Sequence, residues 1–132
     1  MPRYTAAAVG LVLLTTALVA QTAPVTGDRT SPLRPLGGDG NVGISNAVLR
    51  DQPEVRALRV VVEAGGTRAM HAHSDVRFHL FVPISGPMEL RLDGGLTTDV
   101  QPWHPYYLDV GTQHGFHNVG DEAVEIMEIF IR

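Results

Sequence analysis

The chain has 132 residues, which is enough for one compact domain and too short for two. It contains no cysteine, so disulfides and thiolate metal sites are excluded. All ten basic residues are arginines, and the net charge is −4 at pH 7 with neutral histidines. A chain without an excess of basic residues is not expected to bind nucleic acid.

The first twenty residues have the pattern of a secretory signal peptide. One positive charge at Arg3 precedes an uncharged, largely apolar run over residues 5–20, after which the composition turns polar. This pattern predicts an exported protein, periplasmic or secreted, that is cleaved after Ala20 or, as a second option, after Ala23. A membrane anchor is the competing interpretation, but the run is shorter than the roughly 20 apolar residues that cross a bilayer. We therefore expect no membrane association after cleavage.

Residues 21–41 separate this segment from the folded domain. They are rich in Pro, Gly, Thr and Ser and show no apolar periodicity, which is typical of a flexible linker or arm. The folded domain is predicted to begin near Val42 and to occupy residues 42–132.

Short β-rich runs follow one another from residue 47 onward, without a convincing helical pattern. Between them stand residues that favour tight turns, as at Gly65-Gly66 and Gly86-Pro87. The last run alternates apolar and polar residues except near Met127-Glu128, where a β-bulge would explain the break. The pattern predicts an all-β fold, a small antiparallel barrel, and its clearest runs are 57–64, 78–85, 88–93, 106–110 and 123–132.

All six histidines lie between residues 71 and 117, and this clustering indicates a site. His71 and His73 are two positions apart, so on a β-strand both imidazoles project from the same face. Two ligands on one strand can reach the same ion, although a His-x-His pair is not specific by itself.

Two blocks around these histidines resemble the paired motifs of the cupin superfamily. The first block reads Gly65, five residues, His71-Ala72-His73, and then His79, six residues and Gly86. The second reads Gly111, two residues, His114, three residues and Asn118. The resemblance covers residues 55–132. It implies a small single-domain cupin, a jelly-roll-like double-stranded β-helix, with a hairpin between the two motifs.

The resemblance also implies a metal site. In the family's pattern the ligands are the two histidines of His-x-His, a glutamate, and the histidine of the second motif. In this chain His79 stands at the glutamate position, one residue further along than usual. Carried over position by position, the implied ligands are His71, His73, His79 and His114.

A site of four neutral imidazoles suits one divalent Fe, Cu, Ni or Zn ion, and the loss of the carboxylate makes Mn less suitable. Asp75, in the loop after His73, would supply a carboxylate if the site needs one. The alternative is a metal-free cupin in which the histidines are hydrogen-bonded residues of the barrel interior.

Small single-domain cupins include dioxygenases, decarboxylases, lyases and isomerases. The resemblance therefore implies a metal-dependent enzyme that acts on a small oxygenated metabolite. Tyr106, His117 and Arg77 are candidates for a further catalytic role, although His117 has the strand parity opposite to His114. A non-catalytic module that binds a metal or small ligand, and a barrel with a purely structural metal, stay open as alternatives. Cupins commonly pair into dimers, so the resemblance also implies a homodimer.

Overall fold

The computed structural model describes residues 31–132, and the predicted signal peptide and the first part of the predicted arm lie outside this range. Within the range there are nine strands and one short 3-10 turn at Asp93–Gly95. The strands are β1 Arg34–Pro35, β2 Val42–Asp51, β3 Val55–His71, β4 Phe78–Pro83, β5 Met88–Leu92, β6 Thr97–Val100, β7 Tyr106–Asp109, β8 His114–Asn118 and β9 Val124–Ile131.

The strands pair antiparallel in one curled sheet of order β6-β5-β8-β3-β9-β4-β7, while β2 pairs with β3 and β1 with β2. This architecture confirms the predicted all-β antiparallel barrel. The hairpin expected between the two histidine blocks is formed by β5 and β6. Among residues 31–132, no helix has the length and apolar character needed to cross a bilayer.

The long strand β3 joins the two halves of the sheet. Its residues 55–62 pair with β9, whereas its residues 67–71 pair with β8. The turn predicted at Gly65-Gly66 is therefore wrong, because the strand bends there and continues. Gly65 has a φ of 69°, and a Cβ on Gly66 would lie 2.8 Å from the carbonyl oxygen of Glu63. Glycine at these two positions lets the strand bend where its partner changes from β9 to β8.

The core lies inside the curl and receives side chains from both halves. Phe81 of β4 and Phe116 of β8 are fully buried, with ring centroids 5.3 Å apart. Around them pack aliphatic residues of the other strands, among them Val60, Leu90 and Ile126. Burial of this apolar surface is the main force that holds the sheet in its curled form.

Strand β9 alternates strictly between buried and half-buried residues. Its pairing with both β3 and β4 runs in regular register. The β-bulge predicted near Met127-Glu128 is therefore wrong. The apolar pattern breaks because the inward position is occupied by a glutamate, Glu128, which is 6% exposed.

The turn between β8 and β9 is fixed by the buried side chain of Asn118. Its amide nitrogen donates to the carbonyl oxygens of Val62, Glu63 and Glu122 at 2.7 to 3.0 Å. Its Oδ1 accepts a hydrogen bond from the amide of Gly120 at 2.9 Å. Further towards the N-terminus, β1 lies within the segment predicted as an arm and pairs with Ser45 and Asn46 of β2.

Candidate metal centre

The structure brings four of the histidines into one cluster inside the sheet. The ring centroid of His114 lies 4.3 Å from that of His71 and 5.0 Å from that of His79. The ring of His73 lies 4.9 Å from that of His71 and 5.3 Å from that of His79. These are the four residues that the cupin resemblance implies as ligands.

Three strands and one loop position the cluster. His71 ends β3 and pairs with His114 at the start of β8. His79 lies on β4 opposite Phe130 of β9, and the two rings stack at 4.5 Å. His73 lies two residues beyond the end of β3, so the expected shared strand does not extend to it. Its carbonyl oxygen accepts a hydrogen bond from the amide of Gly111 at 2.9 Å, which holds the loop in place.

Backbone carbonyl groups fix the tautomer of two histidines. The Nδ1 atom of His71 lies 3.0 Å from the carbonyl oxygen of Ala69, and that of His114 lies 2.9 Å from the carbonyl oxygen of Thr112. Because a carbonyl oxygen can only accept, each Nδ1 carries the hydrogen and each Nε2 keeps its lone pair. Histidine ligands of metal ions commonly have their second ring nitrogen held in this way.

The imidazoles are neutral at physiological pH. Burial, followed by the proximity of His114, lowers the pKa of His71 to about 3 and that of His73 to about 4. The same causes lower the pKa of His79 to about 2. Burial also lowers the pKa of His114. The four rings are therefore in the protonation state that a metal ion requires.

Several polar atoms of the cluster are buried without a hydrogen-bond partner among the described residues. They are Nε2 of His73, Nε2 of His114, both ring nitrogens of His79 and Oε1 of Glu128. Buried polar atoms are rarely left unpaired, since each one carries a desolvation penalty. A cation bound between Nε2 of His73, Nε2 of His114, one ring nitrogen of His79 and Oε1 of Glu128 would satisfy those four atoms, so the donor set fits a metal ion.

Glu128 is the member of the cluster that the sequence prediction missed. Its Oε1 lies 3.7 Å from Nε2 of His79. Burial raises the pKa of Glu128 to about 7, against the opposing effect of the nearby Arg68 and Arg56. The prediction of a histidine-only site did not include this residue, and β9 adds its carboxyl group to the cluster. The signal was present in the sequence as a glutamate at an inward position of an otherwise apolar alternation.

Two overlapping groups of ligand atoms share His114. The ligand atoms of His71, His73 and His114 lie within 4.8 Å of one another, and so do those of His79, His114 and Glu128. Atoms this close need only small side-chain adjustments to reach the metal–ligand distances of about 2.0 to 2.2 Å that nitrogen and oxygen donors adopt. The two groups share His114, and each offers three donors to an ion.

A cavity of about 230 Å³ reaches the cluster from one side. His71, His73 and Glu128 line it, whereas His79 and His114 lie behind them with 1% exposure each. The remaining wall combines apolar residues such as Phe116 with charged and polar ones. A small molecule in this cavity would contact one side of the cluster while the other side stays closed by the core.

The other sequence candidates lie away from the cavity. Tyr106 is half-buried and its hydroxyl accepts a hydrogen bond from the amide of Gln101 at 3.1 Å. The Nδ1 atom of His117 lies 2.9 Å from Oγ1 of Thr67, outside the cluster. Arg77 is exposed. None of these three residues lines the cavity. Asp75, which the sequence suggested as an additional carboxylate ligand, does line the cavity and is exposed.

A curled antiparallel sheet with histidines clustered inside defines a cupin. A family model described as a cupin domain (Cupin_2) matches residues 58–130. This match covers more than half of the chain, so the protein belongs to the Cupin_2 family. The membership predicted from the two histidine blocks is confirmed.

Solved structures agree with this assignment. A cupin domain from Bordetella pertussis Tohama I is 26% identical over 72% of this chain and 99% of its own, with a TM-score of 0.61. The polyketide cyclase RemF from Streptomyces resistomycificus is 20% identical over 77% of this chain and 74% of its own (TM-score 0.68). A predicted oxalate decarboxylase from Thermotoga maritima is 18% identical over 67% of this chain and 79% of its own (TM-score 0.61). A search of curated proteins finds no match.

Proposed function

We propose that this protein is an exported cupin enzyme that binds one divalent transition metal and acts on a small oxygenated metabolite. The observation that carries the proposal is the convergence of unpartnered ligand atoms of His73, His79, His114 and Glu128 beside a cavity. Export rests on the sequence pattern of residues 1–20.

The metal would be held by His71, His73 and His114, with His79 and Glu128 as further ligands. When bound, a divalent transition metal supplies a Lewis acid that polarises a substrate oxygen, and Fe or Cu also supplies redox chemistry. The imidazoles suit Fe, Cu, Ni and Zn, and the carboxylate of Glu128 removes the reason to regard Mn as less suitable.

The chain's own residues would direct a ligand to one side of the cluster. His79 packs against Phe130 and is closed from solvent, so a ligand cannot reach the cluster from the side of His79. His71 and His73 face the cavity, which is partly enclosed and lined by both apolar and charged residues. Polar interactions are stronger in such an environment than in bulk water, which favours orientation of an oxygen-bearing substrate.

The similar structures support a range of reactions and not a particular one. One of them is named a polyketide cyclase and another a predicted oxalate decarboxylase, but likeness at 18 to 20% identity extends to the fold alone. The proposed reaction class therefore stays within dioxygenase, decarboxylase, lyase or isomerase chemistry.

The alternative is a closed site, in which the ion stabilises the barrel or is captured without turnover. The closed site is favoured if His79 or Glu128 joins His71, His73 and His114 and fills the coordination sphere. The cavity beside His71 and His73 favours an open site. The two differ in whether a water molecule exchanges on the bound ion.

Water-proton relaxation separates these functions. We expect purified protein loaded with one equivalent of Mn²⁺ or Cu²⁺ to enhance the relaxation rate of water protons, because an open position admits exchanging water. His71→Ala should abolish high-affinity binding, while His104→Ala, which changes a histidine outside the cluster, should leave both binding and relaxation unchanged. A tightly bound ion without relaxation enhancement would support the closed alternative. Equal binding by the His71 variant would contradict the assigned site.

A further inference from the structure

Three arginines line the cavity beside the histidine cluster. Arg56, Arg68 and Arg132 contribute to its wall, although the protein as a whole carries a net charge of −4. The same wall contains two carboxyl groups, those of Asp75 and Glu128, so the arginines outnumber the acidic residues by one. Arginine presents several N–H donors in a planar fork that matches the two oxygens of a carboxylate.

Arg68 is the arginine with the least compensation. Its side chain is partly buried, and its Nη1 donates to the neutral Oδ1 of Asn41 at 2.9 Å. Among residues 31–132, no carboxylate oxygen lies within 4.0 Å of its guanidinium. The charge of Glu128 acts on Arg68 without a direct ion pair, so a bound anion at this position would give the guanidinium a direct partner.

Arg56 and Arg132 are also incompletely neutralised, since they share one carboxylate. Nη1 of Arg132 donates to Oδ1 of Asp51 at 2.9 Å, and Nε of Arg56 lies 3.7 Å from the other oxygen. Nε of Arg56 is buried and has no hydrogen-bond partner among the described residues. No hydrogen bond to Asp51 engages Nε of Arg56, and the Arg56 side chain lines the cavity.

The remainder of the wall is complementary to an apolar group. Leu58, Val60, Val76, Phe116 and Phe130 line the same cavity. Its volume of about 230 Å³ is below the roughly 300 to 1,000 Å³ of pockets that hold drug-sized molecules. The cavity therefore matches a small molecule with one anionic end and a short hydrocarbon part.

We infer that the cavity binds a small organic carboxylate, with the carboxylate on Arg68 and Arg56 and the hydrocarbon part against the apolar wall. This arrangement leaves the rest of the molecule beside His71 and His73. The inference names the substrate class of the proposed function and rests on it, because a bound acid is a substrate only if the cluster holds a metal.

Ligand-observed NMR titrations of the purified protein test the inference. The probes are pyruvate, 2-oxoisovalerate and benzoate, with methyl benzoate as the neutral counterpart and inorganic phosphate as a different anion. We expect at least one carboxylate to bind, and we expect neither the ester nor phosphate to bind as tightly. Arg68→Gln should weaken binding about tenfold, as expected for the loss of a hydrogen bond to a charged group.

Two further variants separate recognition from folding. Arg59→Gln is the matched control, because Arg59 is an exposed arginine of the same strand that pairs with Glu125, and its binding should stay within about twofold of wild type. Arg68→Lys keeps the charge but loses the fork, so its affinity should lie between those of wild type and Arg68→Gln. Arg68→Lys therefore still reports on recognition if Arg68→Gln does not fold.

The results that overturn the inference are distinct from those that overturn the proposed function. Carboxylate affinity unchanged in both Arg68 variants, equal binding of the ester or phosphate, or no binding of any carboxylate contradicts the inference. Metal affinity is measured on the same samples and reports on the proposed function separately from carboxylate binding. Metal binding without carboxylate binding overturns only the carboxylate site, whereas carboxylate binding without metal binding overturns only the metal-dependent function.

Discussion

Glu128 shows how a single buried residue changes the chemistry of the site. This chain has His79 at the position where the cupin pattern has a glutamate. Nε2 of His79 on β4 lies 3.7 Å from Oε1 of Glu128 on the neighbouring strand β9. The cluster therefore keeps a carboxylate, although it arrives from β9 instead of β4. A carboxylate lowers the net charge of a metal centre and broadens the range of ions that it accepts.

The four histidines were predictable from the sequence and Glu128 was not, for a physical reason. His71, His73, His79 and His114 belong to two local blocks with recognisable spacing. Glu128 joins them only through the antiparallel pairing of β9 with β3 and β4. Spacing along the chain contains no information about such a contact, and only the interrupted alternation of β9 indicated that the residue faces inward.

The buried histidines make the stability of the metal-free protein depend on pH. Burial lowers the folded-state pKa of His71 to about 3 and that of His73 to about 4, while the unfolded value is about 6.5. The unfolded chain therefore binds more protons below pH 6.5, and stability falls as the pH falls. Glu128 acts in the opposite sense, because its pKa is raised to about 7 and its stabilising contribution is lost as the pH rises towards that value.

We expect the four histidines to outweigh the single glutamate. The free energy of unfolding of metal-free protein, measured with urea, should decrease by more than about 1 kcal/mol per pH unit between pH 6.5 and 5. His79→Leu should reduce this slope, whereas His104→Ala should not change it. A free energy that is constant over this range would show that the cluster is protonated equally in the folded and unfolded states.

At the scale of elements, the strands with alternating apolar and polar residues were predictable, whereas the bends and register shifts of the strands were not. The runs at 78–85 and 88–93 correspond to β4 and β5, because each keeps the two-residue period of a half-buried strand. Strand β2 was not among the clear runs, since register shifts near Gly43 and Leu49 interrupt its period. Gly65-Gly66 resembles a turn in sequence but bends a continuous strand.

The turn after β4 provides a test of backbone geometry. Gly86 has a φ of 72°, and a Cβ there would lie 2.1 Å from Cγ1 of Val124. Gly86→Ala should therefore lower the free energy of unfolding by about 2 to 4 kcal/mol, through both torsional strain and overpacking.

The matched control is Gly94→Ala in the β5–β6 hairpin. Gly94 has a φ of 73° and no heavy atom within 4 Å of the added Cβ, so only the torsional cost of about 1 to 2 kcal/mol should appear. Denaturant unfolding of the two variants compares these costs. Equal losses in both would contradict the close contact between Gly86 and Val124.

At the scale of the whole molecule, the domain is a disulfide-free barrel whose interior is partly polar. Four histidines and a glutamate occupy inward positions that aliphatic residues would fill in a purely structural core. The polar atoms of this cluster that are buried without a hydrogen-bond partner lower the free energy of unfolding. A bound ion would reverse this loss, because it binds only the folded chain. A polar cluster that costs stability when empty is typical of a functional site.

The distribution of charge supports the same interpretation. The chain carries a net charge of −4, whereas the cavity is lined by three arginines and by two acidic residues, Asp75 and Glu128. This local excess of positive charge favours anionic ligands more than the net charge suggests. This effect weakens with salt, because charges at the cavity mouth are screened within about 8 to 10 Å at physiological ionic strength.

The most direct measurement is the metal content of the protein, purified without a histidine tag and analysed for its elements before and after chelation and reloading. We expect about one equivalent of Fe, Cu, Ni, Zn or Mn per chain in wild type and in His104→Ala, and a loss of binding in the double variant His71→Ala/His114→Ala. No metal in the purified protein, together with no binding on titration, would contradict the assignment of the histidine cluster as a metal centre.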